Sequence, residues 1–235
     1  MKIWSLISST LIPTTICHRL DTCQKPCLTT ALPDLSILVL ESGPTTKGKT
    51  EHIQPGQAST HLTPTSKTIQ FYSSTPSEFL GGCSAIIHSG RCVEGGSSVN
   101  FMAYNRPAAS DFDAWEKDFG NAGWSAKDLI PLLQKAETYK IDPDGPTHSS
   151  NGPLKVSFGE NEMLDIGKQF LDIGPKFDKD RARSEEGNTF DEDSINVFFP
   201  CPKWISSDGR WSDVAEKLIS STSGSMNHLP KTFAE

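Results

Sequence analysis

Gly95 and Gly96, followed by Ser97 and Ser98, are the residues of this 235-residue chain whose types and spacing best suit chemistry. Glycine lets a backbone approach a ligand closely and turn its N–H groups toward it, and the two hydroxyls add small donors. Such a turn can cradle a pyrophosphate; the same composition also makes an ordinary flexible turn. Asn100 follows, its amide placed to face a bound ring, and Phe101, Met102 and Ala103 continue as a short apolar strand. A second candidate is Glu41, at the end of the run Leu35 to Leu40. That run is rich in Ile, Leu and Val, which fits a parallel strand buried on both faces. In dinucleotide-binding folds an acid at such a strand end accepts hydrogen bonds from ribose hydroxyls; its plain alternative is a surface carboxylate.

The block from Gly90 to Asp113 resembles the first signature of the glucose-methanol-choline (GMC) oxidoreductases, flavoenzymes that oxidise alcohols. Gly90, Arg91, Val93, Gly95, Gly96, Ser97, Val99, Asn100, Tyr104, Pro107 and Asp113 match in register without a gap, while Glu94 stands where the family has the first glycine of its pair. The resemblance is nearest to the alcohol oxidase (methanol oxidase-like) branch. It takes in Pro33 to Pro44, Leu62 to Thr68, Trp115, Gly123 to Ser125, Leu133 to Glu137 and Gly152 to Ser157, then thins to Trp204-Ile205 and Gly209 to Asp213.

The resemblance implies an α/β fold: an incomplete FAD-binding Rossmann-like domain over residues 32–157 with attached helices, then the start of a truncated, loop-rich substrate domain over 158–235. Residues 1–31 form an anomalous amino-terminal segment. The implied cofactor is FAD, with Glu41 on the ribose, Val93, Gly95, Gly96 and Ser97 along the pyrophosphate and ring, and Asn100, Phe101, Met102 and Ala103 passing the isoalloxazine. The implied substrate is a small-molecule alcohol that gives a hydride to the flavin.

Two elements of the family pattern are missing. The fold places a glycine-rich turn roughly 20 residues before the ribose-binding acid. Met1 to Ser42 contain no glycine, and Pro13 to Leu20 occupy the turn's place. Ile3 to Ile12, broken by Ser5, Ser8, Ser9 and Thr10, makes a poor first strand. Family members also carry a catalytic histidine near their end, and His228 lacks its surroundings, so no catalytic residue is assigned. The six histidines are expected at the surface or in turns. Two readings follow: a truncated alcohol oxidase-like flavoenzyme, or a non-catalytic remnant of the family that does not bind flavin.

A formal charge of -7 and the absence of a Lys/Arg cluster argue against a nucleic-acid partner. No apolar stretch approaches the roughly 20 residues of a membrane span. Cys17, Cys23 and Cys27 beside His18 invite a zinc reading, but they lack paired Cys-x2-Cys knuckles and no metal site is assigned. Free thiols in an intracellular chain, cytoplasmic or peroxisomal, are the simpler expectation.

Downstream, Ser110 with Asp113 reads as a capping pair for a helix through Trp115 to Phe119, closed by Gly120. Ser125 and Asp128 open a second helix over Ala126 to Tyr139, bent by Pro131. Trp115 and Trp124 are expected as core anchors, 142–151 as a polar loop, and 176–193 as a solvated charged stretch.

Overall fold

The computed structural model describes residues 14–18, 36–40, 43–93, 95–159 and 165–213, the first two stretches as backbone alone. The chain forms two compact units, residues 1–100 with 213–235 and residues 101–212.

In the first unit, β2 (Ser36–Leu40) is the expected apolar strand and pairs in parallel with β1 (Thr14–His18), Thr14 opposite Ser36 and His18 opposite Leu40. The place of the missing glycine turn is therefore held by a strand. Thr14, Thr15 and Ile16 are β-branched and suit it, whereas Ile3 to Ile12 lie outside the described residues. An antiparallel pair follows, β3 (Ile69–Ser73) with β4 (Ile86–Gly90), whose register sets Ile69 opposite Gly90. Ile69, Cys92 and Val99 form a small buried cluster, so the end of β4 and the glycine turn after it share one core.

The second unit carries α1 (Ala109–Lys117), α2 (Ala126–Ala136) and α3 (Asp165–Phe177). The cap of α1 is Asp111, whose Oδ2 accepts the Ala108 N–H at 2.9 Å, and not the expected pair of Ser110 with Asp113. Asp113 instead caps its neighbour, accepting the Ala126 N–H of α2 at 3.1 Å. That bond, and then Lys117 at 3.2 Å, hold the Asp113 carboxyl below the usual carboxylate range. At the start of α2, the Ser125 hydroxyl donates to Asp128 at 2.8 Å.

The second helix stops at Ala136, short of the expected Tyr139. Glu137–Tyr139 is a strand, β5, in parallel with β6 (Leu154–Val156). Helical periodicity carries through this stretch, but Thr138 and Tyr139 are good strand formers, and pairing with β6 decides the outcome. Phe112, Ala126 and Phe190 form one core cluster; Tyr104, Tyr139 and Val156 form another. Phe112 is the anchor that Trp115 and Trp124 were expected to be. Those two tryptophans are 41% and 52% exposed, with their rings 5.7 Å apart. The charged stretch over 176–193 is only partly solvated, because Asn188 and Phe190 are buried. The helix α3 carries no signal among the sequence expectations.

Candidate functional site

The strand β4 delivers Gly90 onto a 310 turn, Gly95–Ser98. A side chain at Gly90 would put its Cβ 2.6 Å from the Gly95 carbonyl carbon and 2.7 Å from the Gly96 nitrogen, so only glycine lets the two segments touch. Gly95 adopts φ 59°, a left-handed conformation that favours glycine. Its N–H donates to the Cys92 carbonyl at 2.8 Å, and the buried Cys92 thiol donates back to the Gly95 carbonyl at 3.3 Å. The loop after β2 reaches the same place: the Val93 N–H donates to the Pro44 carbonyl at 3.2 Å, and a Cβ on Gly43 would lie 2.6 Å from the Cys92 nitrogen. Three glycines, 43, 90 and 95, thus let three backbone segments close on one another.

The far end of the turn is pinned by side chains. Ser98, fully buried, donates its hydroxyl to Asp213 Oδ2 at 2.8 Å and lies 3.1 Å from the Thr46 hydroxyl. Its carbonyl accepts from His52 Nδ1 at 2.9 Å. His52 stacks on His61 with centroids 4.2 Å apart, and His61 Nε2 donates to the Glu51 carbonyl at 2.8 Å. Burial, and then the neighbouring His52, lower the His61 pKa from its ordinary value. Both histidines are buried structural donors, not surface residues. Above Gly96 there is open space, with nothing within 4 Å of where a Cβ would stand. A turn of fixed shape with an open glycine at its crest fits a phosphate group that must approach the backbone closely.

In the same unit, Val93, Gly95 and Ser97 are half-buried, and Asn100 is exposed. Glu41 and Glu94 lie outside the described residues. In the second unit, Phe101 and Ala103 are exposed while Met102 is buried with φ 59°, its carbonyl accepting the Trp204 N–H at 2.7 Å. The alternation continues through buried Tyr104 and Arg106, as in an extended strand.

Tyr104 and Arg106 reach a charged cluster that no sequence expectation includes. Glu137, fully buried, receives Arg106 Nη2 at 2.5 Å and His148 Nδ1 at 2.9 Å on one oxygen, and the Tyr104 hydroxyl on the other. Arg106 also donates to the Tyr104 oxygen at 2.5 Å and to the Thr147 carbonyl at 2.7 Å, and its guanidinium lies 4.8 Å from the Phe190 ring centre. Beyond, His148 stacks on Tyr139 at 3.7 Å, and the Tyr139 hydroxyl donates to Glu186 at 2.5 Å. Glu186 accepts the N–H groups of Gly187 and Asn188, and Asn188 accepts the Arg106 N–H at 2.7 Å.

Burial raises the Tyr104 phenol pKa; Arg106 opposes the shift and Glu137 adds to it. Burial also raises Tyr139, with the bond to Glu186 contributing. These phenols stay protonated donors, which suits a role in holding the chain in position. One signal for it was present: Tyr104 and Arg106 share a face of an extended segment, and a buried arginine demands a carboxylate. The partner, Glu137, was hidden by its assignment to a helix.

Among the described residues no cluster of His, Cys, Asp and Glu could hold a metal ion, and no helix is long and apolar enough to cross a membrane.

The model of the GMC oxidoreductase family matches residues 24–183. Alcohol oxidase from Pichia angusta is 39% identical over 197 residues, which are 80% of this chain and 27% of that protein. Alcohol oxidase 2 from Komagataella phaffii is 35% identical over 202 residues, 83% of this chain and 28% of that protein. The chain thus spans little more than a quarter of these relatives. Among solved structures, pyridoxine 4-oxidase from Mesorbium loti superposes with a TM-score of 0.73 at 23% identity, covering 88% of this chain and 39% of that one. An FAD-dependent oxidoreductase from Chaetomium thermophilum gives 0.71 at 22% identity, covering 90% and 37%. The gapless glycine block, the turn it builds and the family match over most of the chain agree: this chain belongs to the GMC oxidoreductase family.

Proposed function

We propose that the chain is the flavin-holding portion of an alcohol oxidase-like GMC oxidoreductase acting on the CH–OH group of a small alcohol. The observation that carries this reading is the Gly43, Gly90 and Gly95 junction, which shapes a turn with open space over Gly96. In this reading Gly95, Gly96 and Ser97 take the diphosphate of FAD, with Val93 beside them, and Glu41 takes the ribose. Asn100 to Ala103 keep the role the resemblance implies, alongside the isoalloxazine. Flavin, when bound, would supply the redox chemistry as the hydride acceptor. The work of this chain's residues is binding and orientation. Ser98, Thr46, His52 and Asp213 keep the turn from relaxing, so its backbone donors are aimed before a ligand arrives. None of the described residues is assigned as the base that removes the hydroxyl proton. An intracellular location, cytoplasmic or peroxisomal, belongs to the same reading and accords with the exposed thiols at Cys83 and Cys201.

A specific observation favours a second reading, in which the family fold is kept without the flavin. Met1 to Ser42 contain no glycine, so the sequence offers none of the glycines with which a dinucleotide fold brings its backbone close to a diphosphate. Titrating the purified chain with FAD separates the two. Stoichiometric visible absorbance of bound flavin, weakened at least tenfold by Gly95→Val, is the expected result. A chain that stays colourless in excess FAD while its secondary structure is intact establishes the second reading.

A further inference from the structure

Two short 310 segments, Thr50–His52 and Pro55–His61, each end on a histidine, and the two imidazoles meet face to face. Their centroids are 4.2 Å apart with 25° between the planes, and both residues are only 3% exposed. A backbone carbonyl can only accept a hydrogen bond, which fixes one proton on each ring: on Nδ1 of His52, facing the Ser98 carbonyl, and on Nε2 of His61, facing the Glu51 carbonyl. The two bonds differ in reach. His61 ties down a carbonyl 10 residues away, within the same stretch of chain, whereas His52 holds the glycine turn, 46 residues on.

Either ring alone can take up a proton and keep its bond, because an imidazolium donates from both nitrogens. Both together cannot stay stacked. Two positive rings 4.2 Å apart and away from water repel strongly, and salt screens a buried pair little. Burial, and then His52, hold the His61 pKa below its ordinary value, so its proton arrives only as the solution turns acidic. Glu51 beside it favours the charged ring but ranks below both of those causes. Asp213 stands one bond further off, accepting the Ser98 hydroxyl at 2.8 Å. Lys49 accepts the His52 N–H through its carbonyl at 3.0 Å and brings no negative charge.

We propose that the His52–His61 stack is an acid-sensitive latch on the Gly95–Ser98 turn: when both rings are charged, His52 parts from the Ser98 carbonyl and the turn loses its fixed shape. The Ser98 hydroxyl keeps its bonds to Asp213 and Thr46, so the turn loosens without leaving its place. Val99, 5% exposed, reports the change, because its N–H shares a peptide group with the released carbonyl and donates to the Gly96 carbonyl at 3.3 Å. A further consequence, which rests on the function proposed above, is that FAD affinity falls with pH as the backbone donors lose their aim. The latch itself does not depend on that function.

The test follows amide hydrogen exchange by NMR in the full chain at pH 7.5 and 5, each rate taken relative to that of an unstructured amide at the same pH. On acidification Val99 should lose at least tenfold more protection than the amides of the β3–β4 ladder. His61→Gln, which keeps a donor for the Glu51 carbonyl and cannot become charged, should abolish the difference, and His88→Gln, at an exposed position of β4, should leave it intact. His52→Phe keeps a ring in the stack without a donor and should leave Val99 poorly protected at both pH values, which reads the latch even where His61→Gln does not fold. The latch is overturned by a loss no greater at Val99 than in the ladder, by a loss that survives His61→Gln, or by full protection of Val99 in His52→Phe at pH 7.5. Titration with FAD at the same two pH values should show a Kd at least tenfold higher at pH 5 in the unaltered chain and little change in His61→Gln. Equal affinity while Val99 loosens overturns the consequence for the ligand; a chain that binds no FAD at pH 7.5 overturns the proposed function alone, and the exchange result decides the latch.

Discussion

The glycine turn of the first unit and the Glu137 cluster of the second solve the same problem, holding a chain segment in place, with opposite chemistry. Around the turn the backbone does most of the work. Absent side chains at Gly43 and Gly90 let segments touch, Gly95 supplies a left-handed turn, and the pins at Ser98 are short hydroxyl and imidazole bonds. Around Glu137, the side chains of Tyr104, Arg106 and His148 converge on one buried carboxylate. A contact made by absence can leave a ligand face open, as it does over Gly96. A buried charge must be surrounded on all sides, because an unmatched one is costly. The first arrangement therefore suits a binding surface and the second a fastening.

The sharpest way to break the comparison is Glu137→Leu. It strands the Arg106 guanidinium, only 2% exposed, without a counter-charge, and should destabilise the second unit by about 3–5 kcal/mol. Urea unfolding followed by near-ultraviolet dichroism reads this, and adding Arg106→Met to the same chain should recover most of the loss. If the single and double variants are equally unstable, the cluster is not held together by its charges.

Ser98→Ala should cost the first unit about 1.5–3 kcal/mol, the range for a hydrogen bond to a charged partner, here the Asp213 carboxylate. Gly90→Ala drives a methyl against the backbone of the turn and should cost about 1–3 kcal/mol by overpacking. It should also reduce FAD affinity more than Ser98→Ala does, since it moves the turn itself; equal effects would place the binding surface elsewhere.

The smallest effect expected is on pH. His61 has a folded pKa below its ordinary 6.5, so the fold binds fewer protons than the unfolded chain between the two values. The stability it contributes is present above 6.5 and is lost as pH falls through the folded pKa. Thermal melts between pH 7.5 and 5 should show this slope, and His61→Gln should flatten it. An unchanged slope would mean that His61 is not the group titrating.

Much of the candidate site was legible because its chemistry is local. Gly95, Gly96 and Ser97 lie next to one another in the chain, and the strand Ser36–Leu40 announces itself by a nearly all-apolar run. The pins were not legible. His52 and Asp213 are far from Ser98 in sequence and carry no periodicity that could join them to it. Buried His52, His61 and His148 look like surface residues until their partners are known, because burial of a polar group depends on what it meets. Glu137 shows the same limit more strongly. Its neighbours continue a helical pattern, and only pairing with Leu154–Val156 turned the chain into a strand and its carboxylate inward.

From the sequence alone came the family, the flavin expectation and the residues of the turn, since a gapless block of glycines and small polar residues specifies a backbone shape by local sterics. Tertiary structure alone decided which glycines must be glycines, which histidines are buried, and that Arg106 and Glu137 meet. Those outcomes depend on distances between segments remote in the chain, and sequence spacing does not encode such distances.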